Sequence, residues 1–235
     1  GKEVPYTGQS YYPNQTPRAT YAAMISYLDE QVGELVEKLK EINQYENTLI
    51  IFTSDNGPTW VDHVDYKFFN STGKFVNSRR TMKGSVSEGG IRVPMIASWP
   101  NKIKSGSKSN HISAFYDFFQ TACDVAGIKN NVKTDGISFY SEMVGAVQAK
   151  HDYLYWEYPA SGGLQAIRMG KWKGVKTNLL KSPSKLKLFN LLCDEKELND
   201  VSSNNPEIVN ELEKKLSEAH STPYLKEFII PSLEQ

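Results

Sequence analysis

The sequence predicts an α/β fold, in which part of a three-layer α/β/α sheet is followed by a small antiparallel sheet with a helix. Three observations predict it. An amphipathic helical stretch precedes two apolar, strand-like runs at 48–53 and 93–99, and a long polar loop separates those runs. A second helical stretch follows directly on the second run. Beyond Thr134 the texture changes to short alternating runs punctuated by Gly, Pro, Ser and Asn, the pattern of antiparallel strands.

Residues 1–17 are rich in Tyr, Pro, Gln and Thr without any period and read as an extended arm. From Arg18 to about Ile42, the residues Ala22, Ile25, Leu28, Val32, Leu35, Val36 and Leu39 recur at helical spacing, with charged residues on the opposite face. Asn43 to Asn47 break the pattern, and Thr48-Leu49-Ile50-Ile51-Phe52-Thr53 reads as a strand buried on both faces. Residues 57–92 form a Gly-dotted polar connection, of a length that in a compact domain is usually either functional or disordered. Val93 to Trp99 give a second buried strand. Ile112, Phe115, Phe119, Cys123 and Ala126 mark a helix stopped by Gly127, with His111 at its start. This order is that of a parallel sheet covered by helices. Such sheets have about five or more strands, so two strands here are part of a larger domain. Further on, 153–158, 164–169, 172–176 and 186–191 read as short strands and Pro206 to Glu218 as a closing helix. The domains expected are therefore 1–130, the C-terminal part of an α/β domain, and 131–235, a small sheet plus helix.

Composition bounds the function. The 27 basic and 27 acidic residues balance, which removes any electrostatic case for nucleic acid. The longest apolar runs are far shorter than a membrane span, and Gly1-Lys2-Glu3-Val4-Pro5 lacks the blocks of a signal peptide. A soluble chain with no membrane partner is expected, one that need not begin at a natural start. Its 13 Tyr, 10 Phe and 4 Trp suit a packed core and a carbohydrate-facing cleft equally. Cys123 and Cys193 have no CxxC or His partner pattern and are expected to be free thiols.

The most informative stretch is Ile50-Ile51-Phe52-Thr53-Ser54-Asp55-Asn56-Gly57-Pro58. A β-prone run ends in a carboxylate, an amide and a turn, so Asp55 and Asn56 can converge on one point. Both present oxygen to a ligand, which suits calcium or magnesium, although calcium takes roughly six to eight oxygens and most must come from elsewhere. Asp-Asn-Gly is also an ordinary turn sequence, and its context decides between these readings.

That context is Arg80-Thr81-Met82-Lys83-Gly84-Ser85-Val86-Ser87-Glu88-Gly89-Gly90-Ile91-Arg92-Val93-Pro94, which leads into the second strand. Together with Thr53-Ser54-Asp55-Asn56-Gly57 it resembles the type I sulfatases, the formylglycine-dependent members of the alkaline phosphatase superfamily. Tyr116-Asp117-Phe118-Phe119-Gln120-Thr121, Asp135-Gly136-Ile137-Ser138, Gln165 to Lys173, and Leu188-Phe189-Asn190-Leu191 with Asp194-Glu195-Lys196-Glu197 and Asn199-Asp200 are similar to later landmarks of that family. The likeness covers most of residues 18–220.

The resemblance implies a sulfatase-like sheet, hydrolysis of a sulfate ester on a sulfated sugar, and a calcium ion, with Mg2+ as the other candidate. Asp55 and Asn56 would bind the metal and Lys83 would contact the sulfate ester, while a lone lysine in a polar loop is otherwise a solvated one. Glu88 and Arg92 match the family as well; as a local pair they would hold the loop against the sheet, with a catalytic role as the alternative. The departure is the nucleophile. The family makes formylglycine from Cys or Ser in a Cys/Ser-x-Pro-x-Arg segment, and no such segment occurs here: Ser221-Thr222-Pro223-Tyr224-Leu225 has the Pro without the Arg. The expectation is the C-terminal portion of a sulfatase, inactive alone and packing against its own N-terminal half, in a periplasmic or secreted protein by resemblance.

Other candidates are weaker. His63, with Asp62 and Asp65, lies in the loop after the metal motif and could reach substrate or be a solvated loop histidine. Trp156 and Glu157, near Gly162 and Gly163, could stack on and hydrogen-bond a sugar, or be core residues of a strand. His111 and His151 are expected to cap or to lie at the surface. Asn14 and Asn70 head Asn-x-Ser/Thr triplets. Two other functions stay open: a phosphonate or phosphodiester hydrolase of the same superfamily, and a noncatalytic carbohydrate- or partner-binding module.

Overall fold

The computed structural model describes residues 3–8, 11–60, 65–71, 73–76 and 78–234. The arm closes on itself through a bridge between Tyr6 and Asn14. Helix α1 spans Pro17–Glu41, with Pro at the first position, where no N–H is needed. The Glu3 carboxylate accepts from the free N–H groups of Arg18, at 2.5 Å, and Ala19, at 3.5 Å, and so places negative charge at the positive end of the helix. Its apolar stripe, including Met24, Ile25, Leu28 and Leu35, stands open to solvent.

Strands β1, Ile50–Thr53, and β2, Met95–Ser98, pair antiparallel, with Ile51 opposite Ala97 and Phe52 opposite Ile96. This corrects two expectations. The strands are not parallel, because the long connection returns to the end of β1 from which it left: Gly57 N–H donates to Gly90 O at 2.8 Å, and Thr53 Oγ1 to Pro94 O at 2.8 Å. β2 must therefore start where β1 stops. Nor are the strands buried, since Phe52, Met95 and Ile96 are 41, 46 and 63% exposed. No element among the described residues fully covers them.

The connection ends in a one-turn helix, α2, Glu88–Ile91. Helix α3, Phe118–Val125, starts later than the periodicity suggests. Asp117 fixes the start by accepting from Ala114 N–H at 2.7 Å, so His111 lies ahead of the helix in irregular chain. Gly127, at φ +67°, ends the helix in the left-handed conformation that glycine adopts without strain.

Strands β3, Leu154–Tyr158, β4, Leu164–Met169, β5, Trp172–Lys176, and β6, Lys187–Asn190, form an antiparallel meander in chain order. Helix α4, Pro206–Ala219, covers one face, where Leu212 and Leu216 meet Ile167, Leu186 and Leu188. The other face, carrying Ala166, Val175 and Phe189, is covered by Val86 from the long connection. Strand alternation decides this division: residues 166, 168, 173, 175 and 189 share one face and 167 and 188 the other. The small sheet is thus packed on both sides, and one of its layers is the loop that holds Lys83.

Candidate functional site

The turn after β1 presents Asp55 to solvent and leaves Asn56 half-buried. Ser54 Oγ donates to Asn56 O at 2.8 Å, and Asn56 Nδ2 donates to Gly57 O at 2.9 Å. The amide nitrogen is therefore occupied and the side-chain oxygen is left for another partner. Asp55 makes no ion pair or hydrogen bond among the described residues. An uncommitted carboxylate beside a free amide oxygen suits a hard cation as part of a ligand set. It is only part: among the described residues no three His, Cys, Asp or Glu side chains gather as a metal site.

Lys83 reaches the same edge through its backbone. Lys83 N–H donates to Pro58 O at 3.1 Å, and Gly57 N–H to Gly90 O, so the turn and the loop are laced together on both sides of residue 58. Glycine is required here because a Cβ on Gly57 would lie 1.9 Å from Gly89 O. The indole N–H of Trp60 donates to Lys83 O at 3.3 Å and fixes the lysine's carbonyl. Lys83 itself is exposed. The structure brings Asp55, Asn56 and Lys83 to one edge, without a direct bond between their side chains.

Behind that edge lies a buried charge cluster. Glu88 is 2% exposed; its carboxylate lies 2.9 Å from Lys173 Nζ, 3.4 Å from Arg92 Nη1 and 3.6 Å from Arg168 Nη1. Lys173 is wholly buried, and its ammonium also lies 3.0 Å from Glu197 Oε1, close enough for an ion pair but out of line for a hydrogen bond. The second oxygen of Glu197 accepts from the Glu88 backbone N–H at 2.8 Å. Arg92 continues outward to Glu195, at 3.6 Å, and stacks 4.3 Å from the Phe75 ring centre. Burial pushes the Glu88 carboxyl up, but Lys173, aided by Arg168 and Arg92, more than offsets it and holds the pKa below the usual glutamate value. Glu88 and Arg92 do pair, and each has further partners beyond the local one.

The other candidates separate. His63 lies outside the described residues. Trp156 and Glu157 are neighbours in β3 and so point to opposite faces. Trp156 packs with Val86 and Ala166, whereas Glu157 faces the C-terminal segment, 2.6 Å from His220 Nδ1, and accepts from Tyr155 OH. They share no surface. His151 neither caps nor lies free, which corrects its expected role: its Nε2 sits 2.8 Å from Oδ1 of the buried Asp117, which also accepts from Ile137 N–H at 2.9 Å. Cys123 and Cys193 are free thiols.

Sequence reasoning passed over Lys173, Glu197, Arg168 and Trp60 as site residues. A signal for Lys173 existed. In Trp172-Lys173-Gly174-Val175 it alternates onto the face of Val175, and a lysine on an apolar face needs carboxylate partners. Nothing local to β5 says that those partners stand 85 residues earlier and 24 residues later, at Glu88 and Glu197.

With this geometry in hand, comparison with known proteins adds kinship. The family model described as "Sulfatase" matches residues 2–128, and that described as "N-sulphoglucosamine sulphohydrolase, C-terminal" matches residues 78–222. An N-acetylgalactosamine-6-O-sulfatase of Bacteroides thetaiotaomicron is 29% identical over 91% of this chain and 44% of its own length. Arylsulfatase A of Homo sapiens is 30% identical over 72% of this chain and 32% of its own length. The crystal structure of Ps i-CgsB superposes with a TM-score of 0.72 at 31% identity, covering 92% of this chain and 45% of that one. The chain spans less than half the length of each of these relatives.

Proposed function

The chain belongs to the sulfatase family, and we propose that it is the C-terminal part of a calcium-dependent enzyme that hydrolyses sulfate esters on a sulfated carbohydrate. The observation that carries this reading is the lacing of the Asp55-Asn56 turn to the Lys83 loop by the bonds from Lys83 N–H to Pro58 O and from Gly57 N–H to Gly90 O. It sets anionic and neutral oxygen donors beside a solvent-facing ammonium, the pairing that a divalent cation and an esterified anion need. Support for a sugar comes from the Bacteroides relative, which is named an N-acetylgalactosamine-6-O-sulfatase.

On this reading Asp55 and Asn56 would hold part of the calcium shell, and the ion would supply positive charge to the sulfuryl oxygens. Lys83 places its ammonium against those oxygens and against the leaving oxygen as charge builds there. The formylglycine nucleophile and the remaining calcium ligands come from the N-terminal half, against which the open faces of α1, β1 and β2 pack. Residues 1–130 supply the reacting edge and 131–235 its backing. Such a protein works in the periplasm or outside the cell.

The test is made on the full-length protein. Nitrophenyl sulfate should be turned over faster than nitrophenyl phosphate, chelation of calcium should abolish turnover, and Lys83→Ala should lower kcat/KM about 10²- to 10³-fold. Preference for phosphate or phosphonate esters would move the protein to a hydrolase of those anions, and an inactive full-length protein that binds sugar would make it a binding module.

A further inference from the structure

The geometry points to Lys173 as a positioning residue for Lys83: an ammonium buried in the small sheet sets the place of the one that meets the sulfate ester. This rests on the sulfatase reading above. Lys173 itself is wholly buried and faces no ligand. What it holds is the end of the segment 82–88. Its Nζ lies 2.9 Å from Glu88 Oε1 and 3.0 Å from Glu197 Oε1, and Glu197 in turn accepts from the Glu88 backbone N–H at 2.8 Å. Glu88 is therefore fixed by side chain and by main chain at once.

From Glu88 the constraint runs back toward Lys83 through contacts that leave the backbone little freedom. Val86 is buried against Ala166, Val175 and Phe189. Gly84 O accepts from Ser161 Oγ at 3.1 Å, in the connection between β3 and β4. Ser85 N–H donates to Met82 O at 3.1 Å, and Met82 is fully buried. On its other side Lys83 is bonded to Pro58 and Trp60. The lysine backbone is thus held between the metal turn and the small sheet. The sheet grips it through the packing of Val86, the Ser161 bond to Gly84 and, at Glu88, through buried charges that must separate before that end is released.

The chemistry favours ions over apolar contacts for this purpose. Three cationic side chains, Lys173, Arg168 and Arg92, face the carboxylates of Glu88, Glu197 and Glu195. Each carboxylate accepts only in certain directions, so the cluster specifies one register of loop on sheet where an apolar patch would tolerate sliding. Small displacements matter at such a site, because a misplacement of about 1 Å can cost on the order of 10²-fold in rate.

A double-mutant cycle in the full-length enzyme tests this, with Lys83→Ala, Lys173→Met and the pair, scored as kcat and KM on nitrophenyl sulfate per folded molecule. Lys173→Met should lower kcat by about 10-fold or more at a temperature where circular dichroism shows it folded, and Lys173→Arg should restore much of the loss. In the Lys83→Ala background the same change should have little further effect, because Lys173 acts through Lys83. Additive losses, or full kcat in folded Lys173→Met, would overturn the proposal. If Lys173→Met does not fold, Glu88→Gln takes its place in the cycle: it keeps the Lys173–Glu197 pair and the side chain's shape, and the same non-additivity is expected. A wild-type enzyme inactive on sulfate esters, or one indifferent to Lys83→Ala, would instead sink the sulfatase reading itself.

Discussion

Gly57→Ala is the smallest change that should part the Asp55-Asn56 turn from the Lys83 loop. A Cβ at residue 57 would fall 1.9 Å from Gly89 O, 2.8 Å from Gly89 C and 3.0 Å from Gly90 Cα, where real contacts essentially never come under 3.0 Å. All three neighbours are main chain, so no rotamer change relieves the clash. The backbones must separate by about 1 Å. Residues 89 and 90 have little room to retreat toward Thr81, Ser85 and Met82, since even a Cβ on Gly89 would lie 2.4 Å from Thr81 O and one on Gly90 2.6 Å from Ser85 O. Their loop is also anchored through Glu88. The turn must move instead, and it strains or loses the bonds from Gly57 N–H to Gly90 O and from Lys83 N–H to Pro58 O. Two hydrogen bonds at about 1 kcal/mol each and an overpacking cost of about 1–3 kcal/mol give roughly 3–5 kcal/mol. At about 1–2 °C per kcal/mol for a full-length protein roughly twice this size, Tm should fall by roughly 3–10 °C. A 1 Å shift between turn and lysine should also lower kcat/KM on the order of 10²-fold. Calorimetry and nitrophenyl sulfate kinetics on the full-length protein measure both quantities. A variant with Tm within about 2 °C and kcat/KM within twofold of wild type would refute the claim that this approach sets the site.

Other expectations follow from the same contacts. Glu88 has a depressed pKa, so the stability it contributes is complete above the usual glutamate value and is lost as pH falls through its lower folded value. Below about pH 4.5 the Tm of wild type should therefore fall more steeply than that of Glu88→Gln, and parallel pH–Tm curves would count against the cluster. Leu212→Ala empties the fully buried contact between α4 and the sheet and should cost about 2–5 kcal/mol in denaturant unfolding. Asp117→Ala removes a wholly buried acceptor of the Ala114 and Ile137 N–H groups and should cost about 3 kcal/mol or more, seen as a lower Tm, whereas an unchanged Tm would mean that water replaces it. On the proposed calcium-dependent reading, removing calcium should lower the Tm of the full-length protein, and Asp55→Ala should weaken that dependence.

Much of the fold was written in local signals. The four strands of the small sheet and the closing helix lie within a residue or two of where alternation and helical spacing put them, because each is a short element with its own period and its own breakers. The first helix was equally plain from Arg18 onward. The pairing of β1 with β2 was not, since apolar character along a strand is silent on the direction of its neighbour; the return of the loop to Gly57 decided it. Trp156 and Glu157 are neighbours in sequence and suggest one sugar-binding surface, but the alternation within a single strand turns them to opposite faces.

The sequence by itself determined the kind of chemistry available, because Asp55, Asn56 and Lys83 carry their oxygens and charge wherever the chain puts them, and their flanking residues mark the family. Only the tertiary structure decided how Lys83 is held. Part of its support is a set of charges on Glu88, Lys173 and Glu197, far apart in the chain, which can be buried only when the fold brings them within about 3 Å of one another. A buried ion cluster is a property of the assembled layers, since in the unfolded chain each of its members is simply a hydrated side chain.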